Sequence, residues 1–229
     1  MCRMICGISN KDLILNPYLN ELKYQAINGS HAPHEDGWGV LYSEGSALKL
    51  YKTKNSIDKD PESNEKFKNK IITDFFIMHA RKGSVGERSD KNAHPFLYGG
   101  FGFCHNGTIK NASKLKVTGL EGGTDSEILF HYIVQQLKNG KEMKDAISKI
   151  LSADLGAKSF NFMMGNKEEL YVFRYANEKE EYYTIYESIS DGTFMYSTEP
   201  FNSDHLLWQL LPNHILLHIR DMKKEVFQY

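Results

Sequence analysis

The feature that most restricts the fold is a series of strand-length apolar runs, broken by turn signals, with one helical pair set between them. Segments 39–42 and 48–51 flank Ser43-Glu44-Gly45-Ser46 and read as a hairpin. Segments 160–164 and 170–173 flank Gly165-Asn166-Lys167 and read as a second. Further strand candidates are 75–80, 100–104, 182–186, 194–196 and 215–219. The glycines of Gly100-Phe101-Gly102 predict close approach to the backbone there. The helices are better marked. Thr124-Asp125-Ser126-Glu127 has the form of a capping box. After it, Leu129, Ile133 and Leu137 recur every four residues, with Ile128 and Tyr132 beside them. A second helical pattern over 141–151 carries Met143, Ala146, Ile147, Ile150 and Leu151. The charged stretch 52–70 reads as a solvated excursion with a short helix. Strands first and last, with helices between, predict one α+β domain with helices packed on sheet faces.

Composition excludes several classes of function. The 229 residues leave room for one large domain or two small ones, and 41% hydrophobic content suits a globular core. Lys plus Arg number 28 and Asp plus Glu 29, so the basic excess of a phosphate-driven nucleic-acid binder is missing. No apolar run reaches the roughly 18 residues needed to span a bilayer, and the N-terminus has no signal-peptide form. Three Asn-x-Ser/Thr sequons, at Asn28, Asn106 and Asn111, carry no meaning without secretion. The three cysteines, Cys2, Cys6 and Cys104, fit a reducing compartment better than a disulfide framework. A soluble cytoplasmic protein without nucleic-acid or membrane partners is expected.

Four chemical features stand out. If Met1 is removed, Cys2 carries a thiol and a free α-amine together, and the amine can serve as base for the thiol. Arg81, at the end of a strand, can hold a carboxylate by two parallel hydrogen bonds. Asn106 beside the Gly107 N–H can form a two-donor oxyanion hole. Asp125 opens a helix, where negative charge is favoured. Each has a plainer reading alone: an ordinary cysteine, a surface arginine, an Asn-Gly turn and a helix cap. Together they match what L-glutamine requires. A nucleophile meets the carboxamide, Asn106 and Gly107 receive the oxyanion, and Arg81 and Asp125 hold the α-carboxylate and α-ammonium.

The chain resembles the class-II glutamine amidotransferases. The matching stretches are Met1-Cys2-Arg3-Met4, Asp36-Gly37-Trp38-Gly39-Val40, His79-Ala80-Arg81, Asn92-Ala93-His94-Pro95-Phe96, Phe103-Cys104-His105-Asn106-Gly107-Thr108-Ile109 and Thr124-Asp125-Ser126-Glu127. Tyr196-Ser197-Thr198-Glu199-Pro200 and Trp208-Gln209-Leu210-Leu211-Pro212 resemble the end of the short, stand-alone members. The resemblance implies an N-terminal-nucleophile hydrolase fold, a four-layer αββα sandwich of two antiparallel sheets between helical layers, over residues 1–229. It implies Cys2 as nucleophile, Asn106 and Gly107 as oxyanion hole, and Arg81 and Asp125 as substrate ligands. His94 corresponds to a pocket histidine that positions rather than acts as base, and Trp38 is read as packing. No cofactor and no metal are implied.

The loop after Arg81 departs from the family pattern. Lys82-Gly83-Ser84-Val85-Gly86 replaces a bulky residue, an alanine and a threonine, with Ser84 keeping a hydroxyl at the threonine position. That leaves the lid and substrate selectivity open. The chain is also expected to be too short for an acceptor domain. Two enzymatic readings follow: a glutaminase serving a separate ammonia-accepting enzyme, or a hydrolase of another γ-glutamyl amide. A scaffold that binds glutamine or a γ-glutamyl metabolite without turnover is the non-enzyme alternative. A metal hydrolase drawing on Cys2, Cys6, His31, His34, His79, His94 and His105 is disfavoured because the spacing matches no familiar zinc pattern. Gly99-Gly100-Phe101-Gly102 lacks the rest of a phosphate-binding loop.

Overall fold

In the computed structural model, which describes residues 2–202 and 206–229, strand β1 (Arg3–Ile14) shows how the layers arise. Successive side chains of a strand point to opposite faces. Met4, Cys6 and Ile8 therefore enter one core and Ile5 another. β1 runs between β10 (Thr193–Ser197) and β4 (Ile72–Ala80), both antiparallel to it. Beyond β4 lie β2 (Trp38–Glu44) and β3 (Ala47–Thr53), the predicted first hairpin. β9 (Tyr186–Ser190) and the two-residue β11 (Gln209–Leu210) complete this sheet beyond β10. The second sheet runs β5 (Phe96–Tyr98), β6 (Phe101–Ile109), β7 (Ala157–Gly165), β8 (Glu169–Arg174), β12 (Ile215–Arg220) and β13 (Lys223–Gln228). All its pairings are antiparallel.

The sheets face each other across a core of Met4, Cys6, Leu41, Phe75, Ile77, Cys104, Met163, Val172, Tyr196 and Leu217. The outer face of the first sheet is covered by α1 (Asn16–Asn28), whose Leu19, Leu22 and Ala26 pack on Ile5, Phe76 and Met78. The short helix α2 (Pro61–Lys66) falls within the predicted charged excursion. The outer face of the second sheet is covered by α3 (Asp125–Lys138) and α4 (Met143–Ser152), the predicted helical pair. Their Leu129, Ile133, Ile147 and Ile150 meet Phe103, Phe162 and Phe173. The order helix, sheet, sheet, helix is the expected αββα sandwich.

Two local expectations change, and a third holds at one of its two glycines. The 182–186 run is not a strand; pairing begins at Tyr186 and continues to Ser190. Segment 182–185 instead turns inward, with Tyr183 and Ile185 buried. The capping box forms by half: Thr124 Oγ1 accepts from Glu127 N at 3.2 Å. The Glu127 carboxylate turns to the preceding loop and accepts from the Glu121 and Gly122 N–H groups at 2.7 and 2.9 Å. The expected close approach holds at Gly102, where a Cβ would lie 2.9 Å from the Leu41 side chain of the opposite sheet, but not at Gly100, where nothing lies within 4 Å.

Candidate active site

Register brings the first two site residues together. β1 pairs with β4 so that Arg3 lies opposite Ala80. The next pair outward is Cys2 and Arg81, at the open end of the sandwich. Both continue the parity that points into the space between the sheets, Cys2 following Met4 and Cys6, Arg81 following Phe75 and Ile77. The Cys2 thiol is half-buried beside the backbone of Lys82, whose N–H donates to Sγ at 3.4 Å. Burial pushes the thiol pKa up, while the Lys82 backbone and the charges of Arg81 and Arg3 oppose the rise. The resting group is therefore a thiol that needs a base to ionise it.

The facing sheet supplies the third residue. Asn106 lies on β6 with its side chain buried. Its Oδ1 accepts from the Cys2 nitrogen at 2.9 Å, while its Nδ2 is buried and has no hydrogen-bond partner. Buried amide donors are normally paired, so an orphan beside the Cys2 thiol marks a place where an acceptor can arrive. Gly107 follows. A Cβ there would collide with the Ser159 carbonyl and lie 2.6 Å from the His105 ring, so only glycine lets β6 pass. His105 bridges Ser126 Oγ at 2.8 Å and the Ser159 carbonyl at 3.3 Å. Burial lowers its pKa, with Asp125 pulling the other way.

Arg81 is buried and meets only carbonyls: Val85 at 2.6 Å, Gly86 at 3.3 Å, and Asp36 and Glu87 at 3.5 Å. No carboxylate is paired with it among the described residues. Loop 82–86 thus wraps the guanidinium, and Asp36 anchors the loop by accepting from the Gly83 N–H at 2.9 Å. Asp125 is the first residue of α3, capped by Thr124. Its oxygens accept from the Ile109 and Ser126 N–H groups at 2.6 and 3.0 Å, which ties the helix end to β6. No cationic side chain is paired with it among the described residues.

One small, open pocket is lined by Cys2, Arg81, Ser84, His94, Gly107 and Asp125 among others. Ser84 shares a hydrogen bond with Thr108 Oγ1 at 2.8 Å, joining the loop to β6. His94 is buried, has no partner for either ring nitrogen, and stacks between His79 at 4.4 Å and Phe96 at 4.5 Å. Burial holds its pKa well below that of an exposed histidine, so the ring is neutral. Trp38 lies outside the pocket, packed on Tyr51 and Phe67 with its Nε1 donating to Asp60 at 3.0 Å. Cys6 and Cys104 are buried, unbridged core residues. Among the described residues, no group of three or more His, Cys, Asp or Glu could hold a metal ion. No helix among them is long and apolar enough to cross a membrane. Sequence reasoning assigned no task to His105, Ser126 or Asp36, although all three stand inside quoted motifs, His105 beside Asn106 and Ser126 beside Asp125.

Comparison with known proteins agrees with this geometry. A family model described as glutamine amidotransferases class-II matches residues 1–204. A putative glutamine amidotransferase of Haemophilus influenzae is 30% identical over 148 residues, 59% of this chain and 50% of that protein. An uncharacterized protein of Methanocaldococcus jannaschii is 27% identical over 185 residues, 76% of this chain and 51% of that one. The chain spans about half the length of these curated relatives. Among solved structures, a glutamine aminotransferase class-II domain protein from Silicibacter pomeroyi aligns with a TM-score of 0.68 at 18% identity, covering 100% of this chain and 99% of that one. The glutamine phosphoribosylpyrophosphate amidotransferase from B. subtilis aligns at 0.72 and 17% identity, covering 99% of this chain and 49% of that one. At such identity the likeness is one of fold.

Proposed function

The chain belongs to the class-II glutamine amidotransferases, and from that premise we propose that it hydrolyses the side-chain amide of glutamine or of a γ-glutamyl amide through Cys2. Residues 1–229 act in this reading as one domain of that family. Met1, which lies outside the described residues, is removed, and the Cys2 nitrogen becomes an α-amine. That amine takes the thiol proton as Sγ attacks the amide carbon. The carbonyl oxygen gains negative charge and is met by Asn106 Nδ2 and the Gly107 N–H. One such donor contributes about 2.7–4 kcal/mol to the transition state. The tetrahedral adduct collapses, the C–N bond breaks, and the α-ammonium passes its proton to the leaving ammonia or amine. Water then attacks the γ-glutamyl thioester, giving up a proton to the α-amine. Glutamate leaves and the thiol is regenerated. Throughout, Arg81 holds the α-carboxylate and Asp125 the α-ammonium, with His94 and Ser84 bounding the pocket.

The observation that carries this reading is the Asn106 side chain. One end holds the Cys2 nitrogen and the other offers a buried, unpaired donor at the pocket. Turnover of glutamine and a panel of γ-glutamyl amides by wild type and Cys2→Ala tests it. We expect a loss of at least about 10³-fold in kcat, because a nucleophile cannot be removed without losing the covalent route. Equal rates for the two proteins would sink the reading, as would a fully active preparation whose intact mass still includes Met1. Processed wild type that binds glutamate but turns over nothing would favour the non-catalytic scaffold. The panel also separates free glutamine from a substituted amide as substrate.

A further inference from the structure

The residue opposite Asn106 carries the inference. On antiparallel β6 and β7, Asn106 and Asn161 are direct partners. Directly opposed residues project to the same face with Cβ atoms about 4.5–5.5 Å apart. Asn161 therefore stands beside Asn106 on the face that meets the other sheet, and it is fully buried. Its amide is committed at both ends: Oδ1 accepts from the Tyr175 N–H at 2.9 Å, and Nδ2 donates to the Tyr183 carbonyl at 3.1 Å. The Tyr183 carbonyl also receives Arg174 Nε at 3.1 Å, so segment 180–184 is held against the second sheet. Asn106 Nδ2 has no partner.

The contrast is chemical. An amide oxygen on the directly opposed residue is a natural acceptor for an unpaired amide N–H. A pairing between the two asparagines would turn the Asn106 donor away from the pocket. The Tyr175 N–H and the Tyr183 carbonyl fix the orientation of the Asn161 amide, and in that orientation its Oδ1 makes no hydrogen bond to Asn106 Nδ2. We propose that Asn161 is a positioning residue that keeps the Asn106 donor free for the oxyanion by committing its own amide to Tyr175 and Tyr183. This rests on the amidohydrolase reading above. Asn161 touches no substrate; it acts through Asn106.

Asn161→Asp is the sharpest test. The new carboxylate oxygen in place of Nδ2 is repelled by the Tyr183 carbonyl, and it is drawn to the Asn106 Nδ2–H instead. In the full-length, Met1-processed enzyme, kcat should fall about 100-fold, as for loss of one oxyanion donor. KM should stay within about threefold and glutamate binding by calorimetry should be kept, because the Arg81 and Asp125 subsite is untouched. In an Asn106→Ala background, adding Asn161→Asp should cost nothing further, since both act on one donor. Asn161→Ser, which can still accept from the Tyr175 N–H, should show a smaller loss, about 10-fold. A folded variant with wild-type kcat would overturn the positioning role, as would additive losses in the double variant. Loss of glutamate binding together with kcat, or failure of both variants to fold, would assign Asn161 to the fold alone and also overturn it. Absence of Cys2-dependent turnover in wild type would instead fail the amidohydrolase reading itself, so the two failures are distinguishable.

Discussion

Arg81 and Arg174 are both buried, and both are surrounded by backbone carbonyls, yet they sit in regions of opposite character. Arg174, on β8, donates to the Tyr183, Leu211 and Glu180 carbonyls and lies 3.5 Å from the Glu180 carboxylate. Its donors are spent on joining three chain segments. Arg81 has three carbonyl neighbours in its own loop and a fourth at Asp36, two of the four at 3.5 Å, and no paired carboxylate among the described residues. A buried cation without a counter-ion is unfavourable, so an arriving carboxylate gains more there than at the surface. A buried charge whose donors join separate chain segments belongs to the fold, and one without a paired carboxylate among the described residues leaves that place for a ligand. Asn161 and Asn106 repeat the contrast with neutral amides.

If the contrast holds, substitutions around Arg81 should move catalysis and those around Arg174 should move stability. The largest expected effect is at Asn106→Ala, with kcat lower by about 10²–10³-fold, or about 2.7–4 kcal/mol in the barrier. Its stability should fall by only about 1 kcal/mol, because Nδ2 has no partner to lose and Oδ1 gives up a single bond, from the Cys2 nitrogen. Steady-state kinetics beside a thermal melt would show whether the two readouts separate. Arg174→Met should do the reverse, losing about 3 kcal/mol of stability as three carbonyls give up partners at about 1 kcal/mol each. Urea unfolding measures this, and an Arg174→Met protein as stable as wild type would erase the distinction. Arg81→Ala should raise KM by about 10–100-fold, the range of one charged hydrogen-bonded contact. Unfolding in urea should show a smaller loss than for Arg174→Met, because two of the four carbonyl contacts of Arg81 are long at 3.5 Å, and a protein that unfolds as readily as Arg174→Met would place Arg81 with the fold.

The smallest effect concerns pH. Burial, with the charges of Arg81, His34 and His105, holds the His79 pKa well below its ordinary 6.5. The unfolded chain then binds a proton that the folded chain refuses. Stability from this source is complete above about pH 6.5 and falls as pH drops, by up to about 1.4 kcal/mol per pH unit per histidine. His79→Leu should remove one such contribution and flatten the acid limb of stability between about pH 6.5 and 5. An unchanged limb would show that His79 is protonated in the folded state.

The helical pair was readable because each helix buries one stripe, so Leu129, Ile133 and Leu137 keep their spacing. The central strands were readable as apolar runs but not as alternating ones. In β7, Phe162 and Met164 enter the helix-facing core and Met163 the inter-sheet core, so both faces are apolar. β13 escaped notice because Lys223, Lys224 and Glu225 are exposed on an edge strand, where charge blunts pairing with other chains. α1 escaped because Asn16, Asn20 and Asn28 weaken its apolar stripe, and its burial comes from Leu19, Leu22 and Ala26 against the sheet. Near the site, the sequence offered Thr124 and Glu127 as a reciprocal cap, but loop amides compete for the Glu127 carboxylate.

By itself, the sequence determined the chemical vocabulary: a cysteine at position 2, an Asn-Gly pair after a strand, an arginine after another and an aspartate at a helix start. These are properties of residue type and local spacing. The partnership of those groups was decided by tertiary structure, because it depends on which strands are neighbours. Pairing of Arg3 with Ala80 sets Cys2 beside Arg81, and the second sheet brings Asn106 to the Cys2 nitrogen across 104 positions of chain. Which polar groups are left unpaired was also a tertiary decision. Asn106 and Asn161 are the same residue type on adjacent strands, and only the surrounding carbonyls and N–H groups distinguish an open donor from a committed one.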